Sequence, residues 1–243
     1  KAFIKGRFGD NIGSEILTIN AIEKYKLSNK YEFLYTSYNR LAILQKGIGE
    51  YEKALMYNEK ALDYLKRVKN KGVNYEGSLS NIGIVYHQKK DYKNAILYFK
   101  KGLNNNNLKV KNIRVFATLL DNLTYSRFLN NDTVGIKKDF YKALHIRDSL
   151  KIKAGVVLSK LHLAEYYIAT DNATKALVLA KEASVSAKEI KNSRDYLNSL
   201  LLLSELDKQH SKAYLEEHIK YNDSLRNFER KIQNKFTRIE FET

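Results

Sequence analysis

The sequence predicts an all-α chain, stacked antiparallel helix pairs ending in one long helix, and three observations predict it. Among 243 residues there is no proline, and glycine is held to 11, so little interrupts helices. One ladder of residue types recurs at a nearly constant interval along the chain. Beyond Ser211, apolar residues fall mostly at three- and four-residue steps, the period of one helix face.

The clearest rung of the ladder runs Leu79, Ile82, Gly83, Tyr86, then Ala95, Phe99 and Gly102. Each type has a steric reason in a helical hairpin. Gly83 lets two helices approach closely, Ile82, Tyr86 and Phe99 fill the space between them, and Ala95 sits where a larger side chain would clash. Sliding back 41 residues gives Tyr38, Leu41, Ala42, Ala54 and Ala61. Sliding forward gives Leu120, Leu123, Thr124, Phe140 and Ala143, then Leu163, Ala164, Tyr167, Ala176 and Ala183. The small residue of the second helix thus recurs at Ala21, Ala61, Gly102, Ala143 and Ala183, at intervals of 40, 41, 41 and 40.

These gaps resemble the tetratricopeptide repeat, whose ladder is aromatic, Leu-Gly, Tyr, Ala, Phe and a small residue. The resemblance implies a right-handed superhelical solenoid whose concave face is lined by the first helix of each pair. Units are expected near 1–34, 35–75, 76–116, 117–156 and 157–196, with a degenerate unit from 197. There Leu203 and Ser204 take the Leu-small place and Ala213 heads the second helix. The solenoid would thus occupy 1–210, and residues 211–243 a capping helix leading into further sequence. Residues 13–26 read as a second helix and residues 1–8 as the tail of its partner. Both ends read as boundaries inside a longer protein.

The family repeat is about 34 residues, so each unit here carries six or seven more, which the pattern places after the second helix, in longer helices and in loops such as residues 104–107. Turns within pairs fall at Gly47-Ile48-Gly49, Lys90-Asp91, Asn130-Asn131-Asp132 and Asp171-Asn172, where Asp and Asn can accept the free amide hydrogens of the next helix. Three positions depart from the family: Gln45 and Arg127 stand where tyrosine is usual, and Asn58 where an aromatic is usual.

Catalytic chemistry is not written in the sequence. No cysteine is present, which removes thiolate sites, and the five histidines His87, His145, His162, His210 and His218 include no pair four residues apart. Gly6 and Gly9, or Gly47 and Gly49, lack the strand-to-helix setting that cradles phosphate. His162 with Glu165 three residues on is a spacing that ordinary helices produce. Neither an enzyme nor a cofactor or metal site is therefore expected.

The resemblance implies a peptide or protein segment as partner, held by first-helix side chains on the concave face. The expected residues are Asn39, Ile43 and Lys46, then Ser80, Ile84 and His87, then Asp121, Tyr125 and Phe128, then Leu161, Glu165 and Ile168. Tyr125 and Phe128 are the expected anchors, since rigid aromatics dominate interface energies. The lysine and asparagine clamp of the family's chaperone-binding members is absent from this ladder.

A formal charge of +16 and a pI of 9.6 would suit nucleic acid, acidic protein or an anionic membrane. The lysines are scattered, however, and runs such as Lys66-Arg67, Lys89-Lys90, Lys100-Lys101 and Lys137-Lys138 are expected on turns and second helices, as a solvated face. Nucleic acid is thus not the expected partner and ranks third among the readings. No run approaches the roughly 18 apolar residues of a membrane span.

The ending, Asp223-Ser224-Leu225 and then Asn234-Lys235-Phe236-Thr237-Arg238-Ile239-Glu240-Phe241, resembles the linker before the membrane span of repeat-containing sensors in the Bacteroidetes. It implies a periplasmic input module of a two-component or helix-turn-helix signalling protein, with membrane contact only through sequence beyond this chain. Self-association through the C-terminal helix is a separate expectation. A free cytoplasmic scaffold or peptide-responsive regulator is the alternative.

Overall fold

The computed structural model describes residues 11–69 and 74–241, with side chains from 13 to 69 and from 74 to 231. Among them there are twelve helices and no strand: α1 (Asn11–Leu27), α2 (Tyr31–Gly47), α3 (Tyr51–Lys66), α4 (Asn74–Gln88), α5 (Tyr92–Leu103), α6 (Leu108–Lys111), α7 (Ile113–Leu129), α8 (Ile136–Ser149), α9 (Lys153–Ala169), α10 (Ala173–Glu189), α11 (Ser193–Leu206) and α12 (Ser211–Phe241). The first helix expected over residues 1–8 lies outside the described residues. Among the described residues no helix is long and apolar enough to cross a membrane.

One local device builds most of the turns. At Asn29, Gly49, Lys90, Asn131, Lys151, Asp171 and Lys191 the backbone turns left-handed, with φ between 51° and 84°. The amide of the next residue then reaches back five residues to a carbonyl of the helix just ended: Lys30 to Tyr25, Glu50 to Gln45, Asp91 to Tyr86, Asp132 to Arg127, Ile152 to Arg147, Asn172 to Tyr167 and Asn192 to Ala187, at 2.8 to 3.0 Å. This closes the helix and satisfies its last carbonyls. In six of the seven cases the next helix begins at once, and the chain folds back on itself. Asp91, Asn172 and Asn192 also cap that helix, accepting from the amides of Asn94, Lys175 and Asp195 at 3.1 to 3.3 Å.

Compactness divides the chain into residues 1–106 with 227–243, and residues 107–226. In the first unit α1 to α5 pack each against the next. Its core gathers Ile22, Leu34, Tyr35, Tyr38, Leu41, Ala61 and Leu65. The pair α4/α5 closes where Gly83 faces Phe99, with Ala95 fully buried.

In the second unit α6 to α11 pack in sequence, and α7 also meets α9, as α9 meets α11. Phe140, Leu163, Tyr167 and Ala176 form one core, and Val157, Leu161, Ala183, Tyr196 and Leu200 another. Residues 211–226 of α12 close this unit, with Tyr221 set edge-on to Tyr196 at 4.8 Å and Glu217 accepting from the Tyr196 hydroxyl at 3.0 Å. The ladder positions Ala54, Ala61, Ala95, Ala143, Ala164, Ala176 and Ala183 are all 0% exposed.

Ala213 falls in the first turn of α12, where it was expected to head a helix, and is exposed there; α12 meets α10 and α11 through Tyr214, Glu217 and Tyr221. One expectation is corrected. In the α7/α8 pair the extra residues lie between the helices, in residues 130–135, and not after the second helix. Arg127 explains why: its guanidinium donates to Asp132 at 2.8 and 3.1 Å and to the Val134 carbonyl at 2.8 Å, organising a longer connection. The loop after α5 contains a short helix, α6, that the sequence did not announce.

Candidate functional site

In the second unit the first helices α7 and α9 lie side by side, with α8 behind them. Between them is a buried ionic knot. Asp121 of α7 is 0% exposed and Arg147 of α8 only 3%. One Asp121 oxygen faces both Arg147 Nη1 at 2.8 Å and His162 Nδ1 at 2.9 Å, and the other accepts from Ser159 Oγ at 2.9 Å. Arg147 donates further to Ser159 Oγ at 2.7 Å and to the Gly155 carbonyl at 3.1 Å. Gly155 has room for this only because it lacks a side chain, since a Cβ there would stand 2.9 Å from Arg147 Cδ.

Burial alone would raise the Asp121 carboxyl. The nearby His162 and Arg147 charges, with the bonds from His162 and Ser159, outweigh it and hold the group down at about 2. Three helices are thus tied by one charge that every neighbour helps to stabilise.

Above the knot stands an aromatic array. The Tyr125 ring lies flat on His162, centroids 3.8 Å apart and 9° between planes. The Tyr125 hydroxyl donates to Glu165 Oε2. Phe128 lies 6.4 Å from Tyr125 and edge-on to Tyr166 at 6.0 Å. All four of Tyr125, Phe128, Glu165 and Tyr166 are half-buried, each held in place by these contacts. Side chains fixed in this way lose little further freedom when a partner binds.

The expected site residues therefore divide. Tyr125, Phe128 and Glu165 sit together in this array. Asp121 was expected to face the groove and does not: it is the buried centre of the knot below. Leu161, 3% exposed, and Ser80, 5% exposed, are likewise interior, because a residue between two packed first helices points at its neighbour helix instead of outward. In the first unit Asn39 accepts from Asn81 Nδ2 at 2.9 Å, joining α2 to α4. His87 is half-buried, tilted against Tyr92 at 5.5 Å, and Lys46 is half-buried. Ile43 is exposed at 48%.

Arg147, Ser159 and Tyr166 were missed from sequence. Asp121, Arg147 and His162 stand beside the ladder positions and not on them, so the repeat pattern gave no signal that they are buried. The spacing of His162 and Glu165 suggested a pair, yet each bonds across to α7, His162 to Asp121 and Glu165 to Tyr125. Among the described residues no group of three His, Cys, Asp or Glu side chains is placed to hold a metal.

Residues 33–107 match the family model described as tetratricopeptide repeat. No curated protein matches the chain. Among solved structures, BtubC (BKLC) from P. vanneervenii is similar over 90% of this chain and 92% of its own, at 15% identity and a TM-score of 0.65. A Rap protein complexed with competence and sporulation factor is similar over 96% of this chain and 76% of its own, at 11% identity and a TM-score of 0.65. At these identities the likeness is one of fold.

Proposed function

We propose that this chain, in which residues 33–107 are tetratricopeptide repeats and the other helix pairs continue the same fold, is a non-catalytic module that holds a peptide or protein segment on the outward side of its first helices. The observation that carries the reading is the α7/α9 array: Tyr125 clamped between His162 and Glu165, with Phe128 and Tyr166 beside it. Large, rigidly held aromatics are the groups that supply most of the energy of an interface. A similar helical fold, the Rap protein, was solved in complex with competence and sporulation factor, which supports a ligand of that general kind for this fold.

The test is selection of binding peptides from a random library on the whole chain, followed by affinity measurement with Tyr125→Ala/Phe128→Ala. A tenfold or greater loss with an unchanged helical signal supports the assignment. Undiminished affinity overturns it.

The wider role we propose is sensory input to a membrane-bound signalling protein, in a periplasmic setting. It rests on the resemblance of the C-terminal segment and is checked by the full reading frame: a secretion leader upstream and about 20 apolar residues shortly after Thr243 are expected. Their absence from the gene would favour a cytoplasmic scaffold or regulator instead. Self-association through α12 is supported by Leu215 and Ile219, 42% and 60% exposed on one helix face, and sedimentation of Ile219→Glu against the parent chain tests it.

A further inference from the structure

A second feature lies in the first unit, on α1, α2 and α3. A cleft of 330 Å³ opens there, lined by Lys26, Tyr38, Lys60, Asp63, Tyr64 and Arg67. Four of the six are presented by one helix face, because Lys60, Asp63, Tyr64 and Arg67 follow one another at steps of three, one and three residues. The Tyr38 and Tyr64 rings are parallel, 6° between planes and 5.4 Å apart, and Tyr31 and Tyr57 extend the row at 6.5 and 6.1 Å.

Two cations lie over this row. Lys60 Nζ stands 5.8 Å from the Tyr38 ring and 5.9 Å from Tyr57. The Arg67 guanidinium stands 5.4 Å from Tyr31 and 5.9 Å from Tyr64. Ring faces attract cations and hold them in place, but they do not neutralise them. Among the described residues no carboxylate pairs with Lys26, Lys60 or Arg67, and the cleft's one acid, Asp63, is engaged by Lys66 at 2.7 Å. The macrodipole favours Lys26 and Arg67 at the C-terminal ends of α1 and α3. It does not account for Lys60, nearly two turns earlier.

We propose that this cleft is a binding site for a small organic oxyanion, a phosphate or a carboxylate carried on a compact body. Lys60, Arg67 and Lys26 hold the charged group, and the Tyr38 and Tyr64 rings line the space for its body. The volume falls at the small end of ligand pockets, so the cleft takes one compact molecule. The guanidinium forks onto either oxyanion, and the ammonium groups add charge without directional demand. The site is separate from the first-helix face of the second unit and stands whether or not that face binds a peptide.

The experiment is calorimetric titration of the whole chain with phenyl phosphate, benzoate and inorganic phosphate, at low and at physiological salt. Saturable single-site binding of phenyl phosphate or benzoate is expected, and whichever of the two binds more tightly identifies the oxyanion. Inorganic phosphate, with no body for the tyrosines, is expected to bind more weakly, and equal affinity would overturn their part. Lys60→Gln/Arg67→Gln should weaken binding at least tenfold. Lys100→Gln/Lys138→Gln removes the same charge elsewhere on exposed helix positions and should leave it unchanged. No saturable binding by any of the three, or equal weakening by both pairs of substitutions, would overturn the site. All four substituted residues are exposed, and circular dichroism of each variant confirms the fold.

Discussion

A Cβ built on Gly83 would stand 2.5 to 2.8 Å from three carbons of the Phe99 ring. The α4/α5 crossing is therefore as close as these two residue types allow. Phe99 is 0% exposed and cannot swing into solvent without emptying the core. Gly83→Leu should destabilise the chain by about 1–3 kcal/mol, the usual range for overpacking a tight crossing. Gly83→Ala combined with Phe99→Leu should recover part of what Gly83→Ala alone loses, since the pair shares one space. Urea midpoints for the single and double variants check this, and an unchanged midpoint for Gly83→Leu would reject the register.

The Asp121 knot predicts a pH dependence. Asp121 has its folded value depressed from 3.8 to about 2. A depressed carboxylate contributes stability that is fully present above its unfolded value and is lost as pH falls through the folded one. Between pH 4 and pH 2 the chain should lose on the order of 2 kcal/mol through this group, and Asp121→Asn should flatten that part of the profile. At neutral pH the same variant leaves Arg147 buried without its partner, a change that typically costs about 3–5 kcal/mol. Urea unfolding from pH 2 to pH 7 measures both effects.

The repeat was legible because steric demand at helix crossings leaves a narrow choice of residues. Gly83, Ala95, Ala143, Ala164, Ala176 and Ala183 could be named from spacing, and all of them are buried. The direction of a first-helix side chain was less legible. Asp121 and Tyr125 are four residues apart and were expected on one open face, yet Asp121 is interior and Tyr125 half-buried. What separates them is the approach of α8 and α9, a long-range relation that helical period does not encode. The turn at Asn130-Asn131-Asp132 was placed correctly, but the length of the α7/α8 connection was not legible, for a similar reason. Arg127 was legible as a departure from the repeat, but its bond to the Val134 carbonyl depends on a loop path that no local pattern sets.

The left-handed turns give a stability prediction of opposite sign at two kinds of position. Gly49 sits at φ 84° with open space around it, and Lys191 sits at φ 55° in the same motif. A side chain in this region costs roughly 1–2 kcal/mol of backbone energy, which is partly offset by the greater freedom glycine has in the unfolded chain. Gly49→Ala should therefore lower stability by about 1 kcal/mol, and Lys191→Gly should raise it by a fraction of that. Thermal midpoints that move the other way in both variants would show that the turns are held by their tertiary surroundings instead.

The last prediction separates the anchor from its clamp. Tyr125→Phe keeps the ring on His162 and removes only the hydroxyl bonded to Glu165. Loss of one half-buried hydrogen bond typically costs about 1 kcal/mol, so folding should be little changed. Tyr125→Ala removes the ring itself, and truncating an aromatic anchor typically costs about 2 kcal/mol or more of binding energy. A selected peptide should then bind Tyr125→Phe within a few fold of the parent chain and Tyr125→Ala/Phe128→Ala at least tenfold more weakly. Changing Lys89, which is already paired with Glu52, and Lys90, which holds the turn into α5, should matter little. If those lysine changes abolish binding and the aromatic changes do nothing, the peptide lies on another surface, because the Tyr125 ring could not be stripped from a shared interface without loss.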